Sequence, residues 1–197
     1  KNIPDTSIKK KKKSSKGKTA LVISGGGSKG AWAGGVIQHL TEDQEKDYDL
    51  YVGTSTGSLL APLTSIRELS ILKEGYTSIT SDDIFSVNPF NEDGSIKKWN
   101  AIKRFITIKT SLGETYPLRD LIKKHFKEKH FEKLYKSDKE VIAVVANITD
   151  KRPEFKSSND NTYEDFVDWL WASANAPMVT TVIEKDGNQY EDGAIYQ

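Results

Sequence analysis

The stretch VGTSTGS, residues 52 to 58, sets a serine between two glycines, each two positions away, directly after the apolar run Leu50-Tyr51-Val52. In a sharp strand-to-helix turn the residues two before and two after the centre nearly touch. Glycine is therefore favoured at both places, which Gly53 and Gly57 supply. The hydroxyl of Ser55 is left exposed at the strand tip, near the positive end of a helix, as suits a nucleophile of acyl transfer. A second glycine turn, GGGSKG over Gly25–Gly30, lies one strand earlier. Consecutive glycines let backbone N–H groups approach a ligand with no side chain between them, which makes an anion-binding turn.

Different chemistries compete for that turn. The spacing Gly25-x-Gly27-x-x-Gly30 satisfies the dinucleotide fingerprint, which makes a nucleotide-binding module the alternative reading. That reading expects an acidic residue at the far tip of the second strand. Here that tip is Gly53-Thr54-Ser55, and Asp49 stands at the strand's beginning. A triphosphate-binding loop fits less well, because Gly30 is followed by Ala31-Trp32 rather than Lys-Ser/Thr. A third reading joins the two turns: adjacent parallel strands put their tips side by side, and the N–H groups of Gly25, Gly26, Gly27, Ser28 and Gly30 surround the oxyanion formed when Ser55 attacks an ester. Loss of one such donor costs on the order of 3–4 kcal/mol of transition-state stabilisation.

The proton acceptor is less plain. His39 follows the glycine turn on its helix, while His125 and His130 sit among lysines, and all three read as helix-packing or solvent-face residues. Asp120 with His125 or His130 formally completes a serine–acid–histidine order, but only one strand–helix unit precedes Ser55, where ordinary hydrolase elbows follow several. The spacing of five between His125 and His130 does not make a helical metal pair. Near the end, Asp192 stands at a strand end before the small residues Gly193 and Ala194, a pattern that is also a routine turn.

Positioning these residues requires a βα alternation. Residues 19–24, TALVIS, read as a buried strand, and GGGSKGAWAGGVIQHL as a turn and helix with Trp32, Val36, Ile37 and Leu40 at helical spacing. Residues 49–54 form the next strand, followed by a helix from 55 or 56 that Pro62 is expected to end or bend. Two successive βα units suggest an α/β sheet with parallel neighbours. PLRDLIKKHFKEKHFEKLY reads as one amphipathic helix with Leu118, Leu121, Ile122 and Phe126 on its apolar face. Residues 140–149, EVIAVVANIT, are the clearest buried strand. A helix ending at Pro177 follows, and then a strand pair turning at Asp186-Gly187-Asn188.

Composition narrows the partners. Residues 1–18 carry eight lysines against Asp5, whereas the whole chain has a net charge of +1, so the remainder is acidic. The Lys9–Lys18 stretch reads as a solvated basic tail over residues 1–18, followed by one domain over 19–197. Attraction of that tail to an anionic lipid surface is a secondary expectation. Nucleic acid is not expected, because no basic patch with interleaved aromatics follows. No apolar run approaches the roughly 18 residues of a membrane span. The absence of cysteine excludes disulfides and thiolate metal sites.

Gly25–Gly30 (GGGSKG), Gly53–Gly57 (GTSTG) and Asp192-Gly193-Ala194, in this order, resemble the motifs of the patatin-like phospholipases, a family similar to cytosolic phospholipase A2. YPLRDLIKKHF, VIAVVANITD and WASANAP support the resemblance, which covers about residues 19–197. It implies a three-layer α/β fold with a central, largely parallel sheet flanked by helices. It also implies a serine–aspartate dyad: Ser55 as nucleophile, Asp192 as general base, and the N–H groups around Gly26 and Gly27 as oxyanion hole. The implied activity is cleavage of lipid acyl esters through an acyl-serine, with a lipid or phospholipid substrate and no metal or cofactor. An inactive lipid-binding relative is the second alternative. Val179-Thr180-Thr181 departs from the apolar, proline-containing stretch expected after Pro177. The chain also stops five residues after Asp192, where family members continue, so a fragment or a missing C-terminal cover is expected.

Overall fold

A computed structural model describes residues 17–84, 116–175 and 182–196. Residues 1–16 of the basic tail, Pro177 and Val179–Thr181 lie outside these residues. The elements in chain order are β1 (Ala20–Ile23), α1 (Gly30–Gln38), β2 (Leu50–Thr54), α2 (Thr56–Ser65), α3 (Leu69–Ser78), α4 (Ser81–Ile84), α5 (Tyr116–His125), α6 (Glu128–Lys136), β3 (Glu140–Asn147), β4 (Arg152–Ser157), α7 (Tyr163–Ser173), β5 (Ile183–Lys185) and β6 (Asn188–Asp192). Short 3-10 turns at Gly27–Lys29 and Gly193–Tyr196 sit at two of the three motifs.

The strands form one mixed sheet in the order β1-β2-β3-β6-β5, with β4 also paired to β3. β1, β2 and β3 are mutually parallel, while β4 and β6 run antiparallel to β3, and β5 antiparallel to β6. Four of the six strands therefore point one way, as the α/β reading expects. The register around β3 decides where the site falls. β2 pairs with residues 140–144 of β3, and β4 pairs with 142–147, so these two neighbours occupy opposite edges. β6 pairs with 145–147, which leaves it the edge that β2 has just vacated. Thr54 faces Val144 and Asp192 faces Val145. The ends of β2 and β6 thus meet head to head on one edge of β3.

The core lies on one face of this sheet. Ile23, Tyr51, Val141, Ala143 and Val145 alternate along the strands and pack with Leu60 and Leu63 of α2 and with Phe166 and Leu170 of α7. On the other face Val22, Val52 and Ile142 are in register, and Val22 is 72% exposed. The prediction of a fully buried first strand therefore holds for one of its faces. Likewise, in α1 Ile37 is buried and Ala33 packs partly buried against the core, whereas Trp32 and Val36 are exposed.

α2 is buried along nearly its whole length. Two of its hydroxyls turn back to the preceding turn: Thr64 Oγ1 donates to Leu60 O (2.8 Å) and Ser65 Oγ to Pro62 O (2.7 Å). Pro62 lies inside the helix and does not end it, because three more residues continue to Ser65. The lysine-rich segment, predicted as one helix, is two. The chain is extended at Lys127, whose N–H donates to His130 Nδ1 (3.0 Å). In an unbroken helix Phe126 and Phe131 would point about 140° apart. The break lets both rings pack against Phe166, at centroid distances of 6.4 and 5.9 Å. β4 was not anticipated. It carries Pro153, which it tolerates because among the described residues β4 pairs on one side alone, with β3.

Candidate active site

The chain leaves β2 at Thr54 and enters α2 at Thr56, so Ser55 takes the whole reversal, with φ 54° and ψ −129°. A positive φ at a residue other than glycine costs about 1–3 kcal/mol and persists only where neighbours impose it. They do so here. The Ser55 carbonyl accepts from Ser58 N (2.9 Å) and Ser58 Oγ (2.6 Å), and the Ser55 N–H donates to Ser173 Oγ (3.1 Å). A Cβ at Gly53 would overlap the Gly57 carbonyl and stand 2.5 Å from Ser58 Cα. A Cβ at Gly57 would overlap the Ile23 carbonyl of β1. Both glycines are thus required by close approach, Gly57 because of the neighbouring strand as well as the turn itself.

The Gly25–Gly30 turn lies directly against this elbow. A Cβ on Gly25 would be 2.8 Å from Ser55 Cβ and 3.5 Å from Ser55 Oγ, and one on Gly30 would overlap Thr56 Cγ2. Thr56 Oγ1 donates to Gly27 O (2.9 Å), tying the two turns together. Gly27 needs its freedom for a different reason, a φ of 54°. Gly26 is constrained by neither, since a Cβ there would meet only Lys29 Cβ at 3.4 Å. Gly26, Gly27 and Ser28 are exposed.

Asp192 arrives from the opposite end of the chain. The tight β5–β6 hairpin turns at Asp186 and Gly187 (φ 52° and 77°), the paired positive φ values of a two-residue hairpin loop. That turn delivers β6 to the edge of β3. The side chain of Asp192 is 3% exposed and faces the Ser55 hydroxyl, and its Oδ1 accepts from Ala194 N (2.9 Å). Burial pushes the Asp192 carboxyl above its ordinary value, and the Ser55 hydroxyl and the Ala194 N–H pull it partly back. A Cβ on Gly193 would overlap the Val144 carbonyl, so the small residue after Asp192 lets the chain cross β3 closely. Asp192 N–H donates to Asn175 O (3.1 Å).

The structure therefore brings together Ser55, Asp192 and the glycine turn, and leaves the histidines apart from them. His39 Nδ1 lies 2.7 Å from Asp43 Oδ2 on the surface. His130 accepts from Lys127 N–H, and burial lowers its pKa, as it does that of His125. Asp49, the acid available to a dinucleotide site, accepts from Thr19 N and Oγ1 (2.9 and 3.1 Å) at the far end of β2 from Ser55. Among the described residues no cluster of His, Asp or Glu could hold a metal ion, and no helix is long and apolar enough to cross a membrane. Two contributors escaped sequence reasoning: the Ser173 hydroxyl and the Asn175 carbonyl. Neither has a local signature, because a helix-terminal serine and a backbone carbonyl gain meaning only from what lies across the sheet.

A family model described as patatin-like phospholipase matches residues 21–197. A curated relative, the probable lipid hydrolase 463L of Invertebrate iridescent virus 6, is 26% identical over 183 residues, which is 89% of this chain and 59% of the relative. Among solved structures, VipD from Legionella pneumophila superposes with a TM-score of 0.61 at 16% identity, over 91% of this chain and 46% of VipD. At that identity the likeness concerns the fold alone. The chain spans about three fifths of the viral relative and just under half of VipD.

Proposed function

Because the chain belongs to the patatin-like phospholipase family, we propose that it hydrolyses the acyl esters of lipids through a covalent acyl-Ser55 intermediate. The observation that carries this reading is the placement of the Ser55 hydroxyl against the buried Asp192 carboxyl, where a glycine turn touches the same serine. Ser55 Oγ attacks the ester carbonyl while its proton passes to Asp192. The tetrahedral oxyanion is met by N–H groups of Gly25–Gly30, chiefly Gly26 and Gly27, and by the positive end of α2. The ester C–O bond then breaks, and the departing alcohol takes the proton from Asp192. Water, deprotonated by the same carboxylate, attacks the acyl-serine, releases the fatty acid and restores the Ser55 hydroxyl.

A carboxylate at its ordinary pKa is a weak base at neutral pH. Burial raises the basicity of Asp192 in the direction that general-base work requires. The lipid substrate accords with the name of the viral relative, and the Lys9–Lys18 segment supplies charge that attracts anionic headgroups. The test is incubation of wild-type and Ser55→Ala protein with a mixed lipid extract, followed by mass analysis. Release of fatty acids and lysolipids by the wild type alone supports the reading; equal release by both refutes it.

Gly25→Ala probes the contact between the two turns. Its methyl group would stand 2.8 Å from Ser55 Cβ, forcing the anion cradle away from the nucleophile. Turnover of a chromogenic ester is expected to fall about 100-fold, as displacements near 1 Å do, while circular dichroism stays that of the wild type.

A further inference from the structure

Among the buried polar groups that the reaction outlined above does not use, one lies against the elbow. Ser173, the last residue of α7, is fully buried, yet its hydroxyl reaches two backbones. Its Oγ donates to Val144 O of β3 (2.7 Å) and accepts from Ser55 N–H (3.1 Å). Two residues later the Asn175 carbonyl accepts from Asp192 N–H (3.1 Å). A single turn at the end of α7 therefore holds the backbones of both members of the proposed reacting pair.

The need for such a group follows from the elbow. Thr54 still pairs with Val144 in the parallel ladder, but at Ser55 the chain turns out of the sheet with a positive φ. The Ser173 hydroxyl stands between the Ser55 N–H and the Val144 carbonyl and satisfies both. A hydroxyl suits this place because it is a donor and an acceptor on one small atom. The helix that brings it is fixed independently of the site. α7 is capped by Thr162, whose Oγ1 accepts from Asp165 N (3.3 Å), and it buries Phe166, Trp169 and Leu170 in the core.

We propose that the Ser173–Asn175 turn is a positioning clamp that sets the distance between Ser55 and Asp192. The proposal rests on the acyl-hydrolase reading above. Ser173 touches no reacting atom; it acts through the Ser55 backbone, and Asn175 acts through the Asp192 backbone. Since the Ser55 N–H is engaged by Ser173, the donors for the oxyanion come from the glycine turn and the start of α2.

Two readouts on wild type, Ser173→Ala and Ser173→Thr test the clamp: hydrogen exchange at the Ser55 amide, and the rate of labelling by an alkyl fluorophosphonate per folded molecule. In Ser173→Ala the amide is expected to exchange at least about tenfold faster and labelling to slow by about 10- to 100-fold. Ser173→Thr, which keeps the hydroxyl, is expected to recover most of the labelling rate. Should Ser173→Ala not fold, Ser173→Cys conserves the volume with a much weaker donor and acceptor and carries the same expectation. A labelled wild type whose Ser173→Ala form is folded and labelled at the same rate overturns the clamp alone. A wild type that is not labelled at all overturns the acyl-hydrolase reading and the clamp with it.

Discussion

Ser55→Ala is expected to lower ester turnover by roughly 10⁴-fold or more, because no other group stands at the elbow to form the covalent intermediate. The background that survives is what the glycine turn and substrate binding contribute without a nucleophile. The fold should be retained, since the side chain removed is small and its backbone is held by Ser58 and Ser173. Ser55→Gly should be equally inactive but more resistant to urea than Ser55→Ala, by about 1 kcal/mol or more. Glycine adopts the φ of 54° without the penalty that a Cβ imposes. Steady-state turnover of a chromogenic ester and urea unfolding of both variants check the pair of statements.

Asp192→Asn is expected to reduce turnover by about 10²- to 10⁴-fold, the range attributed to a positioned general base. The amide keeps the shape and can still accept from Ala194 N–H, but it cannot take the serine proton. The wild-type rate should rise with pH as the carboxyl ionises, with its midpoint above the ordinary 3.8 because burial raises it. Asp192→Asn should lose that limb. Stability should move the other way. The folded-state pKa exceeds the unfolded value, so the folded protein binds this proton more tightly. The corresponding stabilisation is complete below the unfolded pKa and is lost as pH rises through the folded one. Asparagine carries no such loss, so at pH 8 the inactive variant should melt at a higher temperature than the wild type. Glu191, whose pKa is also raised by burial and by the Asp192 charge, adds a loss of the same sign, and Asp192→Asn also relieves the part of it that the Asp192 charge causes. Thermal melts at pH 4 and pH 8 measure this.

The parts of this account that sequence reveals are those encoded within a few residues. Gly53, Ser55 and Gly57 announce an elbow because the steric demand is local. The apolar alternation along β3 and the Asp-Gly turn before β6 are legible for the same reason. The division of the lysine-rich segment at Lys127 was not legible, since it depends on Phe126 and Phe131 both finding Phe166. β4 was not legible either, since RPEFKS becomes a strand by pairing with β3. Asp192 could be singled out by resemblance, but its partnership with Ser55 follows from β2 and β6 sharing one edge of β3, a matter of pairing register. Ser173 and Asn175 belong to the same class: their partners are 118 and 17 residues away in sequence.

The central claim is that Ser55 is a nucleophile activated by a carboxylate and no histidine. Site mapping of a fluorophosphonate adduct by peptide mass tests it most directly. The expected result is a single adduct on Ser55, absent from Ser55→Ala and formed at least about 100-fold more slowly by Asp192→Asn. An adduct on another residue, or one formed at an undiminished rate when Asp192 is replaced, would contradict it.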